Sequence, residues 1–147
     1  AQYVDAANDF GLFLVRKVRA RLCAGTGSLE TSGDLQGLYA FRENWLLSKT
    51  RNLHHLVLMD VHGDSMEPDI LSGDTVLVDE SQRDIFAGRI YAVGIDEEVV
   101  VKYVDKKPGK LVLRPANKDY ETLEIDLAQQ DGVRILGRVL WWCREAK

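Results

Sequence analysis

A serine and a lysine can carry out acyl transfer without further help if the lysine is held neutral beside the hydroxyl. This chain has one of each in a suitable setting. The serine stands in Gly63-Asp64-Ser65-Met66-Glu67-Pro68, which follows a run of apolar residues. Gly63 permits a sharp turn and Pro68 suits the first turn of a short helix, so Ser65 falls on the turn with an accessible hydroxyl. Backbone N–H groups there, those of Ser65 and its neighbour Met66, would point outward as oxyanion donors. The same residues also fit a plainer use, in which Asp64 or Ser65 only caps a helical turn.

The lysine lies in Glu98-Val99-Val100-Val101-Lys102-Tyr103-Val104. As a strand of period two, this run puts Val100, Lys102 and Val104 on one face and Val99, Val101 and Tyr103 on the other. Both faces are apolar, so an ammonium group here is costly unless its burial has a use. That use would be general-base catalysis. Deprotonating an ordinary lysine at neutral pH costs roughly 4–5 kcal/mol, and desolvation by valines lowers that cost. Against this stands an edge strand whose lysine snorkels to water.

The elements that must position these two groups read as a small, mainly β domain. Seven short runs suit strands: Leu56 to Val61, Thr75 to Asp79, Arg89 to Ile95, Glu98 to Val104, Lys110 to Arg114, Thr122 to Ile125 and Val133 to Trp142. Turns such as Ser72-Gly73-Asp74 and Pro108-Gly109 separate them, which implies a twisted, partly closed antiparallel sheet. Tyr39 to Leu47 suits one short amphipathic helix. Residues 1–21 read as a linker or arm, whose Arg16, Lys17, Arg19 and Arg21 fit a solvated strand face better than a binding patch. Ala24 to Gly33 reads as an exposed loop.

Composition limits the function. The chain has 147 residues, 46% of them hydrophobic and 29% charged, the balance of one globular domain. Its formal charge of −4 gives no footprint for nucleic acid. No apolar run approaches the roughly 20 residues of a spanning helix, and no signal peptide opens the chain, so a cytoplasmic setting without a membrane is expected. Cys23 and Cys143 are then expected as thiols. His54, His55 and His62 have no zinc-site spacing around them, so neither a metal nor a cofactor is expected. The chain begins at Ala1 rather than Met and its first fifteen residues lack a helix-turn-helix pattern, which reads as a C-terminal piece.

The serine motif, the Ser72-Gly73-Asp74 turn and Lys102 in a Val-Val-Lys-Tyr strand, 37 positions beyond Ser65, together resemble the LexA and phage-repressor peptidase family. The likeness extends over Val18 to Trp142. It implies a domain that dimerises and cuts its own linker, here residues 22–147. Ser65 would be the nucleophile and Lys102 the base. The family cuts an Ala-Gly pair N-terminal to the serine, and Ala24-Gly25 is the only such pair upstream of Ser65. An accidental Ala-Gly in a flexible loop is the alternative. The stretch Thr26 to Leu56 is longer here than in LexA.

By the same resemblance, operator DNA would be bound only through an N-terminal domain ahead of this chain. The inducer would be a RecA filament on single-stranded DNA or an antirepressor. Leu140, Trp141 and Trp142 close the last strand, so at least one tryptophan is expected to face away from the core toward a homodimer partner, the alternative being that both are buried within the monomer. Two other readings compete: a non-cleaving module that dimerises and senses an effector, and a signal-peptidase-like enzyme acting on other proteins, which the lack of an anchor disfavours.

Overall fold

The computed structural model describes residues 10–20, 35–129 and 132–147. Nine strands form one sheet: β1 (Leu12–Val18), β2 (Leu35–Arg42), β3 (Leu56–Asp60), β4 (Thr75–Asp79), β5 (Arg89–Ile95), β6 (Glu98–Lys107), β7 (Lys110–Arg114), β8 (Leu123–Asp126) and β9 (Val133–Cys143). Their order across the sheet is β2-β1-β3-β4-β9-β5-β6-β7-β8. Among the described residues a single short α-helix, α1 (Glu43–Leu47), follows β2. The expected mainly β sheet with one short helix is what the described residues form. The sheet is mixed rather than wholly antiparallel, since β1 runs parallel to β3, and it does not close on itself.

All seven expected strands are present, within a few residues of their expected ends. Two expectations upstream of them need correction. Leu12–Val18, assigned to the linker, is a strand of the sheet, with Val15 and Val18 almost wholly buried. Only Glu43–Leu47 of the expected Tyr39–Leu47 helix is helical, because Tyr39 to Arg42 completes β2. The reason is mutual. Each of these segments is a ladder partner for the other, from Leu12 opposite Arg42 to Val18 opposite Leu35, and neither reads as a strand without that partner.

The strand β9 shapes the middle of the sheet. Its register slips by one residue against β4 between Leu77 and Val78, and again against β5 between Ala92 and Val93. Each slip puts an extra residue into β9, a bulge that bends the strand and tightens its twist. Gly137 lies between them, and a Cβ there would sit 2.5 Å from the Asp79 carbonyl oxygen. The bend wraps the sheet around a central apolar cluster that includes Val57, Met59, Val76, Val78, Ala92, Val101 and Leu136. A second cluster, with Leu46, Leu58 and Leu77, underlies α1. A third, with Tyr91, Val93, Val104 and Leu113, supports the other half of β6.

Candidate active site

Strand β3 delivers the serine loop. The loop is closed at its base by two backbone bonds, from Val61 N–H to the Asp74 carbonyl at 2.8 Å and from Gly73 N–H to the Val61 carbonyl at 2.7 Å. Gly63 turns the chain with φ +89°, a value that favours glycine. From Asp64 onward the backbone coils through tight turns, with Glu67 N–H on the Asp64 carbonyl and both Asp69 and Ile70 N–H on that of Met66. This is less regular than the short helix expected. Met66 and Ile70 are 2% and 0% exposed and sink into the central cluster, fixing the loop from beneath.

Ser65 is thereby turned toward β6. Its Oγ lies 2.5 Å from Lys102 Nζ, within hydrogen-bond reach whichever atom carries the proton. The capping alternative does not hold among the described residues: the Asp64 carboxylate takes the Tyr120 hydroxyl and the Ser65 hydroxyl meets Lys102. The edge-strand alternative is half right. Beside Lys102, β6 has a ladder partner only on the β5 side, at Tyr91, because pairing with β7 starts at Tyr103. Yet the ammonium nitrogen turns to Ser65 instead of to open water.

The valines behave as the period of two requires. Val99, Val101 and Tyr103 belong to the central cluster, and Val100 and Val104 to the third. Half-buried between these groups, Lys102 has its pKa lowered below the usual lysine value, and desolvation is the cause. No carboxylate among the described residues acts to raise it again. A lysine so placed gives up its proton more readily than one at the surface.

A family model described as Peptidase S24-like matches residues 17–140. The chain belongs to that family. Among individual relatives, it is 40% identical to the Repressor protein CI of Enterobacteria phage phi80 over 81 residues, 54% of this chain and 33% of that protein. It is 35% identical to the LexA repressor of Vibrio cholerae over 74 residues, 50% of this chain and 35% of that repressor. The LexA repressor of Histophilus somni is 37% identical over 81 residues, 54% of this chain and 38% of the repressor. The matched part is thus about a third of each relative's length.

Within this peptidase-family domain the structure also shows contacts that the sequence did not reveal. The turn between β7 and β8 clamps the serine loop from outside: Asn117 N–H donates to the Ser65 carbonyl and Asn117 Nδ2 to the Asp64 carbonyl, each at 3.0 Å. Tyr103 donates its hydroxyl to Asp69 at 2.5 Å, with the Arg114 guanidinium 4.6 Å from its ring centre. Pro-Ala-Asn marks residues 115–117 as a turn, but nothing in the sequence says which loop that turn touches. Beside Ser65 runs a groove of about 90 Å³ lined by Ala20, Val61, Gly63, Met66 and Val99 to Val101. Ala24, Gly25 and Cys23 lie outside the described residues. Among those described, no helix is long and apolar enough to cross a membrane.

Proposed function

We propose that this chain is the self-cleaving, dimerising C-terminal domain of a bacterial or prophage transcriptional repressor, and that it cuts its own Ala24-Gly25 bond. The observation carrying this reading is the Ser65 Oγ–Lys102 Nζ contact at 2.5 Å, on a lysine whose pKa burial lowers. Neutral Lys102 takes the Ser65 proton as Oγ attacks the Ala24 carbonyl carbon. The tetrahedral intermediate collapses with transfer of the proton from Lys102 to the Gly25 nitrogen, leaving the first fragment as an ester on Ser65. Water, deprotonated by the same lysine, attacks the ester, and the proton returns to Ser65 as its oxygen leaves.

Chain reach supports Ala24-Gly25 as the bond. Ala20 lines the groove beside Ser65, and the four residues on to Ala24 span at most about 14 Å when extended. Ala24 suits a narrow groove walled in part by Val61, Met66 and Val99 to Val101, and Gly25 lets the chain bend away after it. Because nucleophile and bond share one chain, the rate follows the fraction of time the segment occupies the groove, which a partner such as a RecA filament or an antirepressor would raise.

Dimerisation rests on β9, where Trp142 at the end of the strand is 37% exposed. Cutting between a dimerising domain and a DNA-binding domain would uncouple two half-site contacts and lower operator affinity. The test of the bond is Ala24→Trp, whose side chain is too large for the groove. The variant should stay whole where the parent chain is cut. Cutting of the variant at the same bond, or of the parent at another, overturns the assignment.

A further inference from the structure

The clamp on the serine loop does more than hold it in place. In a trans peptide, carbonyl and N–H share a plane and point in opposite directions, and Glu67-Pro68 is the one cis bond among the described residues. The Asp64 carbonyl, coplanar with Ser65 N–H, accepts Asn117 Nδ2 at 3.0 Å and Glu67 N–H at 3.1 Å, so both of its lone pairs are used. The Ser65 carbonyl, coplanar with Met66 N–H, accepts the Asn117 backbone N–H at 3.0 Å. One residue therefore grips the carbonyl ends of the two peptide groups that flank the nucleophile.

The consequence concerns the opposite ends of those groups. Ser65 and Met66 N–H point away from Asn117, and among the described residues neither has an acceptor. Ser65 and Met66 line the groove, whereas Asn117 does not. The clamp is itself fixed. Asn117 Oδ1 accepts Asp119 N–H at 3.0 Å and the Asn117 carbonyl accepts Tyr120 N–H at 3.2 Å, so the amide nitrogen has to face Asp64.

We infer that Asn117 is a positioning residue that aims the Ser65 and Met66 N–H groups at the carbonyl under attack, pre-orienting the donors that stabilise its developing oxyanion. The inference rests on Ser65 being the nucleophile. Donors aligned before the reaction need no reorganisation when charge develops, whereas a turn free to rock must be realigned each time. The side-chain donation to Asp64 is the part a substitution can remove, because the backbone N–H of residue 117 persists in every variant except proline.

The experiment compares the rate of the Ala24-Gly25 cut across pH in the parent chain, Asn117→Ala and Asn117→Asp, at a temperature where near-ultraviolet circular dichroism shows all three folded. Asn117→Asp keeps an oxygen that accepts Asp119 N–H and puts a charged acceptor in place of the donor to Asp64, so it retains the turn's own bond even if Asn117→Ala loosens it. Both variants should show a high-pH plateau about 10- to 100-fold lower. The half-maximal pH of Asn117→Ala should match the parent, since Lys102 is untouched. A peptide boronic acid ending in alanine, whose adduct with Ser65 places an oxygen at the same donors, should bind both variants about tenfold more weakly. A purely structural role would lower the melting temperature and leave the plateau and boronate affinity unchanged, and that result overturns the inference. So does a parent-like plateau in Asn117→Asp alone, which would assign the effect to the Asp119 turn. If the parent is not cut, or Ser65→Ala is cut as fast, the nucleophile assignment fails first and this inference goes with it.

Discussion

Arg144, one residue beyond β9, closes a two-pronged ion pair on Asp74, with Nε 2.7 Å from Oδ1 and Nη2 2.8 Å from Oδ2. Asp74 is 1% exposed, its Oδ2 also accepts Leu71 N–H, and its carbonyl closes the base of the serine loop. The C-terminal end of the proposed dimer strand thus holds the loop that carries Ser65. Hydrogen bonding to Arg144 is the largest cause holding the Asp74 carboxyl below its usual range, ahead of the opposing effect of burial. Arg144→Ala leaves that carboxylate buried without its cation and is expected to lower the melting temperature by roughly 5–10 °C at pH 7. The sign with pH follows from the lowered value. The pair stabilises the fold above the unfolded-state carboxylate pKa, and its contribution fades as pH falls through the lower folded-state value. The gap between parent and variant, followed by thermal melts, should therefore close in acid; a constant gap would contradict the pairing.

Lys102 is linked to pH in the same direction, but as a cost at neutral pH where Asp74 contributes stability. Its folded-state value lies below the unfolded lysine value, so between the two the unfolded chain binds a proton that the folded chain does not, and stability rises with pH. Below both values the buried ammonium is a standing cost. Lys102→Met is accordingly expected to melt a few degrees higher than the parent at pH 7, with the advantage shrinking as pH climbs toward 10, while cutting is lost altogether. A Lys102→Met chain that melts lower at pH 7 would mean the ammonium is well solvated.

Beneath the serine loop, Met66 tests packing separately from chemistry. Its side chain is 2% exposed in the central cluster, so Met66→Ala should cost about 2–5 kcal/mol and Met66→Leu less than about 1.5 kcal/mol in urea denaturation. Equal costs for the two would show that the loop is not anchored through this residue.

Gly137 tests the course of β9. A Cβ at this position would meet the Asp79 carbonyl oxygen at 2.5 Å and Val78 Cγ1 at 2.8 Å, so backbone has to move. Gly137→Ala is expected to cost about 1–3 kcal/mol. A chemical denaturation midpoint equal to the parent's would show that β4 and β9 are less tightly apposed than described.

The sequence was legible where a segment carries its own pattern. From Leu56 to Cys143 the strands are short, β-branched and bounded by turn residues, and each was recognisable alone. Ser65 and Lys102 stood out for a related reason: a serine on a glycine turn and a lysine among valines break the local expectation for polar groups. What escaped was relational. Leu12–Val18 and Leu35–Arg42 are strands by virtue of each other, across a separation no local period records. Asn117, Tyr120 and Arg144 are ordinary as residues, a turn former, an aromatic and a terminal charge, and only the folded chain brings them to Asp64, Ser65 and Asp74.

The measurement that tests the central claim most directly is intact-mass spectrometry of the purified chain after incubation at pH 7 and pH 10, beside Ser65→Ala and Lys102→Ala. The parent should yield two fragments divided between Ala24 and Gly25, faster at pH 10 because a larger share of Lys102 is neutral. Both variants should remain whole. A parent chain intact at both pH values, or either variant cut at the parental rate, would contradict the claim that Lys102 activates Ser65, and an uncut parent would favour the non-cleaving, effector-sensing module.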